Sequence, residues 1–112
     1  FPTANLYITG DDLVPRYGVY VCQVIYEETC YGGVINIGYN PTFDGGVLVA
    51  EAHIFDFNKD IYGKPITVNL IKYLREEVKF TGVASLARYI AKDVERSRKI
   101  LAALAGKQGD LP

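Results

Sequence analysis

Four stretches rich in β-branched and aromatic residues, 18–26, 31–39, 47–57 and 65–74, are separated only by residues 27–30, 40–46 and 58–64. Nothing constrains the fold of this chain more. A crossover between parallel strands needs a dozen residues or more, so connections this short leave antiparallel neighbours as the one arrangement. GVYVCQVIY, YGGVINIGY, VLVAEAHIFDF and PITVNLIKYL each read as a strand, the last with Pro65 at its first position, where a missing N–H is tolerated. EETC (27–30) is polar and turns the chain into a hairpin. NPTFDGG (40–46) reads as a loop, because Asn-Pro opens a turn and Gly45-Gly46 permits positive φ, and NKDIYGK (58–64) reads as a turn. PTANLYI, near the start, is a candidate fifth strand.

The period changes in the tail. Apolar residues at 83, 86, 90, 94, 101 and 104 mark one helical stripe, with Thr81 or Gly82 as the cap and Gly106 as the stop. Arg88, Lys92, Asp93, Glu95, Arg96 and Lys99 lie opposite it and read as a solvated face. Residues 1–105 therefore form one domain and 106–112 a flexible tail. A lone amphipathic helix must bury its stripe on the strands, so the expected fold is all-β: a small closed or nearly closed antiparallel barrel with the helix packed on it.

At 112 residues and 49% hydrophobic content the chain can bury a modest core. A formal charge of −1 argues against a nucleic-acid partner. No apolar run reaches the ~20 residues of a membrane helix. Cys22 sits mid-strand and Cys30 near a turn, so the two should not face each other, and reduced thiols in a cytoplasmic protein are expected. The chain opens at Phe1 and contains no methionine, which reads as part of something longer.

On VLVAEAHIFDF, alternation puts Val49, Glu51, His53 and Phe55 on one face and Leu48, Ala50, Ala52 and Ile54 on the other. Both faces look half-apolar, so Glu51 and His53 are candidates for partial burial. A buried carboxylate either becomes a general base or pairs, here with Lys72 or Arg75 on the next strand, and from the strand alone the structural pair is the favoured reading. His53 is the only histidine, so a zinc site lacks its ligands. The hard oxygens of Thr3, Asn5, Glu51 and Asp56 suit Mg²⁺. Thr3 and Asn5 suit a backbone-capping turn equally well. No P-loop is present, so a phosphate would need another cradle.

FPTANL, GVY (18–20), INIGYNPTF (35–43), EAHIFDF (51–57), DIYGK (60–64), YLREEVKF (73–80) and the tail SLARYIAKDVERSR (85–98) occur in this order along the chain. Together they resemble the riboflavin kinase family, in the ATP-dependent version that forms the C-terminal module of bacterial bifunctional FAD synthetases. The resemblance covers about residues 1–104. It implies a closed six-stranded Greek-key-like barrel with a C-terminal helix, whose first strand and Gly-rich loop would precede Phe1, and a nucleotidyltransferase domain before them. It also implies transfer of the γ-phosphoryl group of MgATP to the ribityl hydroxyl of riboflavin, giving FMN. Thr3 and Asn5 match positions that hold Mg²⁺ and the ATP phosphates, and Glu51 matches the catalytic base. Ile54, Asp56 and Tyr62 fall where the family contacts the nucleotide, and Arg75, Val78 and Phe80 where it contacts the flavin. Phe80 would also serve as a staple for the helix start. The competing function is a flavin- or nucleotide-binding barrel without catalysis, which would have no use for Thr3, Asn5 and Glu51 together.

Overall fold

The computed structural model describes residues 4–7, 16–42, 45–61, 63–77 and 82–109, with backbone alone at 4–7, 40–42, 46–48 and 107–109. Five strands and one helix follow in order: β1 (Ala4–Tyr7), β2 (Gly18–Tyr26), β3 (Thr29–Thr42), β4 (Gly45–Ile54), β5 (Thr67–Arg75) and α1 (Val83–Gly109). All strand pairs are antiparallel, in the spatial order β1-β4-β3-β2-β5. Hairpins join β2, β3 and β4, and β5 returns to lie beside β2, which is a Greek key. Of the expected PTANLYI strand, Ala4–Tyr7 form β1, and Pro2, Thr3 and Ile8 lie outside the described residues.

The closed six-stranded barrel is not what forms. Among the described residues β1 pairs only with β4 and β5 only with β2, so the five-stranded sheet stays open at both edges. Closure would need the free backbone groups of one edge strand to pair with those of the other, and no such pairing joins β1 and β5 among the described residues. Strand content, antiparallel order and the helix agree with expectation; closure does not.

The β2–β3 hairpin turns on two residues, Glu27 and Glu28, whose φ angles of 47° and 67° are both left-handed. That is the twist a two-residue hairpin requires. The anticipated loop at 40–46 is mostly strand instead: β3 runs to Thr42, and Pro41 pairs with Gly46 of β4. Pro41 fits because the β2 ladder on β3 ends at Gly18↔Ile37, leaving the end of β3 with an open side.

One face of the sheet carries the core, with Tyr20, Cys22, Val24, Ile35, Ile37, Ala50, Ala52 and Ile54 covered by Phe57, Ile61 and Ile66 from the segment after β4. The other face carries Val19, Val34 and Phe55 under Val94 and Leu101 of α1. Gly32 lets the helix approach, since a Cβ there would lie 2.6 Å from Leu101 Cδ1. Cys22 is buried and Cys30 exposed, both free, and burial pushes the Cys22 thiol up to about 12.

The helix begins where expected, Gly82 O accepting the Leu86 N–H at 3.2 Å. It passes through Gly106 and ends at Gly109. Its buried stripe also differs: Val83 and Leu86 are exposed, whereas Asp93 and Ser97 are the most buried. No helix among the described residues is long and apolar enough to cross a membrane.

Candidate active site

A single cross-strand row traverses the sheet. Asn5 of β1 pairs with Glu51 of β4, Glu51 with Asn36 of β3, Asn36 with Val19 of β2, and Val19 with Arg75 of β5. Residues directly opposite in antiparallel strands share a face, so all five positions belong to the helix-bearing side. With strands ~4.8 Å apart, Asn5 and Glu51 are neighbours, and Arg75 stands about 14 Å from Glu51. Residues from PTAN, EAH, INIG, GVY and YLR thus meet on one line.

Glu51 is exposed rather than partly buried, because α1 covers the row only at Val19 and Arg75. Neither Lys72 nor Arg75 adjoins it: both lie on β5, which pairs with β2, whereas β4 lies between β1 and β3. Half-buried His53, on the same face, packs edge-to-face on Phe55 with ring centroids 5.6 Å apart. Ile54 is buried in the core, so its side chain faces away from the row, and a ligand on this side reaches it through the backbone.

Asp56 follows the end of β4 with a left-handed φ of 56° and an exposed carboxylate 3.1 Å from Arg98 Nη1. The hydrogen bond from Arg98, then its charge, holds the Asp56 carboxyl below its usual value. Arg98 also stacks over Phe55, 4.6 Å from the ring centroid, and so ties the end of β4 to the helix.

Arg75 is committed within the fold. Its Nε donates to Asp93 Oδ1 at 3.0 Å, its Nη2 to Asp93 Oδ2 at 2.7 Å and its Nη1 to the Glu76 carbonyl at 3.0 Å. The guanidinium lies 5.2 Å from the Tyr89 ring centroid. Asp93, expected on the solvated face, is buried because its partner stands on the sheet beneath the helix. Thr3, Tyr62, Val78 and Phe80 lie outside the described residues.

Sequence reading passed over Asn36, Asp93 and Ser97. The signal for the helical pair was the seven-residue gap between Val94 and Leu101 in the apolar stripe, which Ser97 fills. Asn36 had no such signal, because its importance depends on register. The register puts Asn5 level with Glu51, and hard oxygens of these two residue types suit Mg²⁺. Among the described residues no three His, Cys, Asp or Glu gather as a metal cage, so such an ion would take its remaining ligands from phosphate and water.

The chain is 37% identical over 105 residues to a bifunctional riboflavin kinase/FMN adenylyltransferase of Listeria monocytogenes, covering 93% of this chain and 33% of that protein. It is 42% identical over 93 residues to the trifunctional protein RibF/MnmA of Mycoplasmoides gallisepticum, covering 83% of this chain and 14% of that one. A crystal structure from Streptococcus pneumoniae, described as a macrolide-efflux protein, matches with a TM-score of 0.82 at 38% identity, over 87% of this chain and 32% of that one. The chain thus spans a third or less of the length of these relatives. A family model described as Flavokinase: Riboflavin kinase matches residues 1–101, and the chain belongs to the riboflavin kinase family.

Proposed function

We propose that this chain transfers the γ-phosphoryl group of ATP to the terminal ribityl hydroxyl of riboflavin, yielding FMN and ADP. The observation that carries the reading is the pairing of Asn5 with Glu51, which brings PTAN and EAH level with each other on adjacent strands. Phosphoryl transfer asks a protein for positioning and charge neutralisation more than for covalent chemistry, and this juxtaposition can supply both.

Glu51 acts as the base. Its carboxylate takes the proton of the terminal hydroxyl as that oxygen attacks the γ-phosphorus, and the bond to the β–γ bridging oxygen breaks to release ADP. Thr3 and Asn5 would hold Mg²⁺, which would neutralise phosphate charge. Ile54, Asp56 and Tyr62 hold the nucleotide. Arg75, Val78 and Phe80 receive the flavin. With the edges of Arg75 occupied by Asp93 and Glu76, its planar face is the part left for a ring.

Relatives named as bifunctional enzymes also carry FMN adenylyltransferase activity, and this chain matches a third of their length. A linked adenylyltransferase domain in the whole protein would consume the FMN made here. Use of MgATP fits a cytoplasmic site of action.

The test is a phosphorylation assay with riboflavin and MgATP, resolving FMN by chromatography, beside Glu51→Gln. The chain should make FMN and the variant should be ~10²–10⁴-fold slower. Flavin binding without FMN would turn the reading to a binding module.

A further inference from the structure

We infer that Asn36 and Glu77 bind the polyol chain of the acceptor, and so select a flavin bearing a ribityl group over a bare flavin ring. This rests on the kinase reading above. If Glu51 receives the terminal hydroxyl and the flavin ring lies toward Arg75, the chain between them must cross β3, the one strand between β4 and β2. At the level of the row, the β3 residue is Asn36. Its neighbours on that strand face, Val34 and Gly38, are buried, yet Asn36 is exposed. Its amide offers a donor and an acceptor together, which is what a run of hydroxyls requires.

Beyond Asn36 the direct path over Val19 is closed, because Val19 is buried beneath the helix side of the sheet. One position further along β3, however, the β2 ladder stops at Gly18↔Ile37. Gly38 follows, on the same face as Asn36, and the Glu77 carboxylate sits directly over it. Any Cβ at Gly38 would collide with Glu77 Oε1. Glu77, two residues past the end of β5, therefore reaches across the step left by β2 and sets an acceptor group beside Asn36. Glu51, Asn36 and Glu77 form a bent polar track across the sheet. The hydrogen-bonding groups of a flavin ring are fixed along its pyrimidine end, whereas a polyhydroxyl chain presents a donor and acceptor at every carbon and can follow the bend.

Binding of two flavins separates the alternatives: riboflavin, and lumiflavin, which has the same ring without the ribityl chain. Each is titrated by fluorescence quenching against the chain and its Asn36→Ala, Glu77→Ala and Gly38→Ala variants, with thermal unfolding recorded for each. Asn36→Ala should weaken riboflavin about 2- to 12-fold, the range of one net hydrogen bond, and leave lumiflavin unchanged. Gly38→Ala should act in the same direction by displacing Glu77, and Gly38→Ala with Glu77→Ala should be no worse than Glu77→Ala alone. Equal losses for both flavins, or no loss for riboflavin, overturn the assignment while leaving the kinase reading intact. Failure of the unsubstituted chain to bind either flavin overturns both.

Discussion

Asp93 of α1 grips Arg75 of β5 through both carboxylate oxygens, at 3.0 Å and 2.7 Å, and this pair fastens the helix to the edge of the sheet. Removing one partner of a buried ion pair leaves the other desolvated and alone. Asp93→Ala should therefore cost about 3 kcal/mol, the low end for buried pairs because Arg75 keeps some solvent contact. Urea unfolding measures it. A loss below about 1 kcal/mol would place the pair among ordinary surface bridges.

Ser97 should behave in the opposite sense. Its hydroxyl is buried and has no hydrogen-bond partner among the described residues. An unsatisfied buried polar group costs ~1–3 kcal/mol, and alanine is the better helix former. Ser97→Ala is expected to raise stability by about 1 kcal/mol. A fall in the unfolding midpoint would show that the hydroxyl has a role in the native packing.

The two thiols should differ sharply in reactivity. Cys22 is buried with its thiol raised to about 12, so at pH 8 it is protonated and shielded, while Cys30 is exposed. Iodoacetamide on the native chain should label Cys30 alone, and both after denaturation, as mass spectrometry of peptides will report. The same shift has a stability consequence. Above pH 9 the unfolded chain loses the Cys22 proton while the folded one keeps it, so stability falls as pH rises from there towards about 12.

Acid acts on Asp56. Its carboxyl is lowered in the fold by Arg98, so its contribution is present above the usual carboxylate value and is lost as pH falls through the folded one. Comparing unfolding midpoints of the chain and Arg98→Ala from pH 6 to pH 3 should show the gap narrowing. It should not vanish, because the stacking of Arg98 on Phe55 is independent of that proton. A constant gap would mean that the ion pair contributes nothing.

Local rules made much of this architecture readable. Alternation along VLVAEAHIFDF put Glu51 on the opposite face from Ala50, Ala52 and Ile54, which form the core, and the switch of period at Val83 located the helix. Pairing beyond neighbouring strands was another matter. Nothing local to Glu51 says that β3 rather than β5 flanks it, and so Lys72 and Arg75 looked like partners. Pro41 looked like a loop residue because its tolerance in β3 depends on β2 ending at Gly18. Asp93 looked solvated because a charge on a helix is read by its own helix, while its burial is decided by Arg75. The closed barrel, too, asked for information about strand edges that no short motif contains. The same limit applies at the site: the motifs named Asn5, Glu51 and Arg75, but register alone added Asn36 between them.

The strand order carries one more consequence. β1 and β5, remote edges of the sheet, contribute Asn5 and Arg75, the two ends of the row. The β2–β3 hairpin is the most local pairing and the cheapest to close in entropy, yet by itself it holds neither end. Chemistry on this row is therefore a property of the finished sheet and of no sub-assembly within it. With the roles proposed for these residues, detaching one edge would silence the phosphate donor and detaching the other would release the acceptor, so turnover would double as a readout that both margins of the fold are in place.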